Sequence, residues 1–192
     1  MIFNDHWRLK DRHAFLSPSS PAWIRYDEDK LDERWVTAQA AKLGTEMHDL
    51  AHKMIKLGVK AAPLGKTFDL YVNDCIGYKM TPEQTLYYSD NCFGTADAIT
   101  FRRLPGEEAA LVLRIFDLKT GTTRASVDQL LIYAALFCLE YQIKPFKIAY
   151  DLRIYKDNEI QRFEVDPTDI LKIMDVIRAW DRRIDARMSE LD

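Results

Sequence analysis

The sequence predicts an α/β (α+β) domain with a central mixed β-sheet flanked by helices. Three observations carry this expectation. Hydrophobic periodicity changes along the chain in the order helix, three strands, helix, two strands, helix. Residues 110–117 form an almost continuous apolar run, as expected of a strand covered on both faces. The chain has 192 residues, 47% of them hydrophobic and 30% charged, which suits a single domain over 1–192 with a buried core.

Residues 1–32 read as an irregular N-terminal segment, because Ser17-Pro18 and Ser20-Pro21 favour turn or extended backbone. A helix is predicted over 34–58. Val36, Ala40, Leu43, Met47, Leu50, Met54 and Leu57 recur at three- and four-residue steps, and Gly58 is a stop signal. A turn-rich stretch with Pro63 and Gly65 precedes a possible strand at 67–72. Strands follow at 84–89, 93–102 and 110–117, the last two joined by a hairpin turn at 104–108. Residues 125–141 are apolar almost all round and read as a buried helix. Two strands, 147–155 and 159–165, are joined by a Lys-Asp-Asn turn. Asp166-Pro167 then opens a C-terminal helix over 166–190, since Asp caps and Pro suits the first turn.

The net charge of −3 neither requires nor excludes a nucleic-acid partner. Cys75, Cys92 and Cys138 are odd in number and far apart, with no C-x-x-C pair. They are expected as free, mostly buried thiols rather than a zinc site or disulfide framework. No apolar run spans a bilayer, and the N-terminus carries charges and histidines where a signal peptide needs apolar residues. A cytoplasmic protein without membrane contact is expected.

The chemistry centres on Asp117 and Lys119 at the end of the apolar strand. Residues i and i+2 of a strand point to one side, so these two project together while Leu118 turns into the core. A carboxylate holds a hard cation through oxygen, and an ammonium beside it orients water and stabilises phosphate charge. Taken alone the pair reads equally well as a strand-end salt bridge. Glu28-Asp29-Lys30 matches a looser form of the spacing and reads as solvated surface. Asp97, in Gly94-Thr95-Ala96-Asp97, lies on the preceding strand, and a hairpin can bring it beside Asp117. Two such carboxylates repel unless a cation separates them. Gly44 and His48 share a helix face away from Lys42, Asp49 and Lys53, so His48 points inward as a satisfied core histidine or a third metal ligand. His6, His13 and His52 have no such context. Gln129 and Tyr133, one turn apart in an apolar helix, need polar partners and either brace the site or contact DNA. Arg102, Arg103, Arg114 and Arg124 flank these motifs and could guide a phosphate backbone. Arg178, Arg182, Arg183 and Arg187 of the last helix read as a solvated basic face.

In this order the residues resemble the RecB-like branch of the PD-(D/E)XK nuclease superfamily: Gly44 to His48, Gly94 to Asp97, Asp117-Leu118-Lys119, then Gln129 to Tyr133. Leu16-Ser-Pro-Ser-Ser20 is similar to the opening of small phage-encoded members and CRISPR-associated exonucleases. The resemblance implies a restriction-endonuclease-like core. It also implies Mg²⁺ or Mn²⁺ held by His48, Asp97, Asp117 and the Leu118 backbone carbonyl. Lys119, with Asp97 and Asp117, would be catalytic, and Gln129, Tyr133 and Gly44 would support the site or contact DNA. The implied function is a metal-dependent DNA exonuclease of replication, recombination or repair, with DNA as partner and a recombinase or single-strand-binding protein as a further one. Ala96 stands where the superfamily name has proline, and the four cysteines of cluster-bearing relatives are missing, so no iron–sulfur cluster is expected. No nucleotide-binding G-x-x-x-x-G-K-[ST] is present. The rivals are a non-catalytic DNA-binding or assembly protein on the same fold and a site-specific endonuclease.

Overall fold

The computed structural model describes residues 14–103, 111–121 and 126–190. The chain divides between Thr45 and Glu46 into two units. In the first, a short 3-10 turn (Pro21–Arg25) precedes the start of helix α1 (Glu28–Leu57). Asp27 Oδ1 accepts the Lys30 N–H at 2.8 Å, which caps α1 six residues earlier than the periodicity suggests. Glu28-Asp29-Lys30 thus lies in the first turn of a helix, with Lys30 paired to Glu33.

The second unit begins within α1 and continues through helix α2 (Thr67–Gly77), strands β1 (Thr81–Ser89), β2 (Cys92–Arg103) and β3 (Leu111–Leu118), and helix α3 (Asp128–Glu140). It ends with strands β4 (Ala149–Lys156) and β5 (Glu159–Phe163) and helix α4 (Pro167–Met188). The expected hairpin at 104–108, with Ala125 and Arg124, lies outside the described residues. The sheet order is β1-β2-β3-β4-β5. Only β3 and β4 pair in parallel; the other neighbours are antiparallel. The fold is therefore α+β, with a five-stranded mixed sheet flanked by helices. The parallel pair demands a crossover, and α3 supplies it.

Alternating residues of each strand serve two cores. Leu113, Ile115, Leu152 and Ile154 meet α3 and α4 on one face. Phe116, Leu118 and Tyr155 meet Ala51 and Ile55 of α1 and Tyr71, Val72 and Cys75 of α2 on the other. Burial on both faces explains why β3 reads as one apolar run. The second core is tied by Arg153, buried on β4. Its guanidinium donates to both Asp151 oxygens at 2.7 and 2.8 Å, to Asp74 of α2 at 3.1 Å and to the Tyr78 hydroxyl. It also stacks on Phe116 at 4.6 Å.

Three sequence expectations are corrected. Residues 67–72 are not a strand but the first half of α2. Asp69 accepts the Gly65 and Lys66 N–H groups at 3.0 and 2.8 Å, ending the turn and starting a helix. The six-residue window was too short to show that Tyr71, Val72 and Cys75 share a helical face. The core stripe read on α1 is also displaced: Leu50 is 50% and Leu57 76% exposed, whereas Ala51 and Ile55 are buried. Small Ala51 lets the helix approach the neighbouring layer. Finally, β4 starts at Ala149, because Pro145–Lys147 form a 3-10 turn. The C-terminal helix stands as read, with Asp166 Oδ1 accepting the Thr168 N–H at 2.8 Å. Cys75, Cys92 and Cys138 are free thiols, the first and last buried. Among the described residues no helix is long and apolar enough to cross a membrane.

Candidate active site

The β2–β3 ladder runs from Arg103–Leu111 to Ala98–Phe116, so Asp97 and Asp117 lie together at one end of it. Asp117 is 3% exposed. Lys119 lies just past the end of β3, its N–H held by the Tyr155 carbonyl of β4 at 2.9 Å. That bond extends the parallel pairing and turns the Lys119 side chain back towards Asp117. Lys119 Nζ is 3.1 Å from Asp117 Oδ1 and 3.0 Å from Oδ2. Only the Oδ1 contact has hydrogen-bonding geometry, and Oδ2 is a buried acceptor without a hydrogen-bond partner among the described residues.

Leu118 turns its side chain into the core and donates its N–H to Asp97 Oδ2 at 2.9 Å. The same oxygen lies 3.5 Å from His48 Nδ1, so His48 does face inward from α1. Burial, then the negative charge of Asp117, pushes the Asp97 carboxyl above its usual range; the Leu118 N–H, His48 and Lys119 oppose this. His48, Asp97, Asp117, Leu118, Lys119 and Gln129 line one cavity of about 410 Å³. Thr120, Gly121 and Ser126, which sequence reading passed over, complete its wall. Gly44 lies one turn earlier on α1, in the first unit, whereas the cavity is lined by residues of the second.

The α3 pair has a definite role here. Gln129 Oε1 accepts from Lys119 Nζ at 2.9 Å, and its Nε2 donates to the Tyr133 hydroxyl at 3.4 Å. Tyr133 in turn donates to the Thr95 carbonyl of β2 at 2.6 Å. A relay thus runs from Asp117 through Lys119, Gln129 and Tyr133 back to the strand that carries Asp97. Gly94 belongs to the same contact: a Cβ there would lie 3.1 Å from Tyr133 Cε1.

Compared with family models, curated proteins and solved structures, the chain matches none.

Two carboxylates and an imidazole around an open cavity are donors suited to a hard divalent cation. The orphaned Asp117 Oδ2 and the raised carboxyl of Asp97 both mark a place that a positive charge would stabilise. Among the described residues, however, no three His, Cys, Asp or Glu side chains are grouped as a ready-made metal cage. The donor chemistry fits a cation that also takes oxygen ligands from water, backbone or substrate.

Two other expectations change. Arg114 is not a free phosphate guide: its Nε donates to Asp151 at 3.2 Å and its guanidinium stacks on Tyr78. His52, set aside in the sequence, stands one turn beyond His48, with Nδ1 3.0 Å from Glu83 Oε2. Glu83 sits between the Pro82–Ala98 and Gln84–Ala96 pairs, close to Asp97 in the ladder, with φ of 49°. A left-handed non-glycine residue inside a strand is strained. The four-residue step from His48 to His52 was the one sequence signal for this pair. His6 and His13 lie outside the described residues.

Proposed function

We propose that the chain is a metal-dependent DNA nuclease, most simply an exonuclease, on a restriction-endonuclease-like core of the RecB-like PD-(D/E)XK branch. The observation that carries this reading is convergence. Four short motifs, separated by up to 85 residues of sequence between His48 and Tyr133, meet in one cavity and its supporting relay. A structural salt bridge between Asp117 and Lys119 has no need of Asp97, His48 or a hydrogen-bonded Gln129–Tyr133 pair.

Mg²⁺ or Mn²⁺ held by His48, Asp97, Asp117 and the Leu118 carbonyl would supply the charge that polarises a phosphodiester and acidifies water. Lys119 donates towards the attacking water and the phosphoryl oxygens on which charge develops. Gln129 holds the Lys119 ammonium at the cavity wall, which reduces the motion lost on reaching the reactive geometry. Water adds to phosphorus, the bond to the leaving oxygen breaks, and that oxygen acquires a proton.

The test is cleavage of linear and circular DNA with Mg²⁺ or Mn²⁺. Asp117→Ala is expected to lower the rate at least about 10³-fold, and Lys119→Ala about 10²- to 10³-fold, with unchanged circular dichroism. Full activity in Asp117→Ala would refute the assignment. Cleavage of linear but not circular DNA marks an exonuclease.

A further inference from the structure

A second cavity, of about 310 Å³, adjoins the first. The two share Lys119 and Thr120 as a common wall. The far side is built by the start of α2, which brings Lys66 and Phe68, and by the β4–β5 turn. These two pieces are joined firmly. Asn158 Oδ1 accepts the Thr67 N–H at 3.0 Å, and the Asn158 N–H donates to Thr67 Oγ1 at 2.7 Å. The Lys66 and Thr67 N–H groups at the start of α2 are therefore already used, by Asp69 and Asn158. The available cation is the exposed Lys66 side chain, which makes no ion pair among the described residues. Asp157 also lines the cavity, with Oδ2 3.7 Å from Lys156 Nζ, which offsets its charge. Phe68 and Met47 add apolar surface beside Lys66.

A cation next to an aromatic ring matches a nucleotide, which carries a phosphate and a flat base, better than it matches a free anion. We propose that this cavity holds the nucleotide adjoining the scissile phosphodiester, its phosphate on Lys66 and its base or sugar against Phe68 and Met47. The proposal rests on the nuclease reading of the first cavity. It makes Lys66 a substrate-positioning residue of a polynucleotide-cleaving enzyme.

The test compares wild type, Lys66→Ala and Lys147→Ala on a single-stranded oligonucleotide and on bis(p-nitrophenyl) phosphate, with Mn²⁺. Lys147 is an exposed lysine just before β4, at the end of the parallel strands opposite Lys119. Lys66→Ala is expected to raise the oligonucleotide KM about tenfold, the worth of one charge-assisted contact, while kcat stays within about twofold. The slope of log KM against log salt should fall by about 0.7, as for one lost single-strand phosphate contact. Rates on the small diester, and all rates of Lys147→Ala, should match wild type. An unchanged oligonucleotide KM, or an equal loss on the small diester, overturns the proposal and leaves the nuclease reading standing. A wild-type protein inactive on both substrates overturns both.

Discussion

Asp97 sits where a carboxylate is costly. It is half-buried, it faces the charge of Asp117, and its hydrogen bond from Leu118 only partly compensates. Its proton therefore binds more tightly in the folded chain than in the unfolded one. Between the ordinary carboxylate pKa and the raised one, the folded state holds more protons, so stability falls as pH rises through that window. Above it, the full cost is present. Asp97→Asn keeps an acceptor for the Leu118 N–H and removes the charge. With chelator present, its melting temperature is expected to exceed wild type at pH 7, and the gap should close as pH drops below about 4. Differential scanning fluorimetry across that range reads the effect, and a lower melting temperature at pH 7 would refute it. The same substitution should abolish metal-dependent cleavage, a trade of stability for activity common at catalytic sites.

Between elements, the contact that matters for the site is α3 against β2. Tyr133 crosses from the helix to the Thr95 carbonyl, and Gly94 leaves room for its ring. Gln129, one turn earlier, reaches Lys119. The relay converts the fixed distance between a helix and a strand into a fixed position for an ammonium. Tyr133→Phe removes both hydrogen bonds of the hydroxyl, to Thr95 and from Gln129, without opening a cavity and is expected to cost about 1 to 2 kcal/mol of stability. Its larger effect should fall on kcat, about tenfold, with KM little changed, since the proposed reaction has Lys119 act on the reaction centre. Steady-state kinetics with urea unfolding separates the two, and equal kcat in the variant would remove Tyr133 from the relay.

For the second unit as a whole, the sheet is a rigid platform whose cores lie on opposite faces. The candidate site sits at one end of its central strands, with α1, α3 and the segment after β3 around it. A ligand that binds only the folded state stabilises it in proportion to its concentration over Kd. Mg²⁺ or Mn²⁺ titration is therefore expected to raise the melting temperature of wild type progressively. Asp117→Ala should show no such rise, because the orphaned oxygen that calls for a cation is gone. Equal responses in both proteins would place the cation elsewhere.

The sequence by itself determined the order of the strands and the later helices, the double-sided burial of β3 and the cap at Asp166, and it singled out His48, Asp97, Asp117, Leu118, Lys119 and Gln129 but not Thr120, Gly121 or Ser126. Each rests on local physics: periodicity, capping chemistry, and the two-residue repeat that puts Asp117 and Lys119 on one side. On α1 the inward direction of His48 was legible, but the leucine stripe was misread. Leucine is as apolar as a core residue should be, yet the smaller Ala51 permits the close approach, so Leu50 and Leu57 point outward. Residues 67–72 look strand-like until Asp69 is seen to bind the preceding amides. The His52–Glu83 pair, the Arg114–Asp151 bond and the shared wall between the two cavities join segments distant in sequence. Only the tertiary structure decides such contacts, because they depend on sheet register and helix placement, which no local pattern encodes. Asp97, Asp117 and Lys119 were readable as chemistry; that they share one cavity with His48 and Gln129 required the fold.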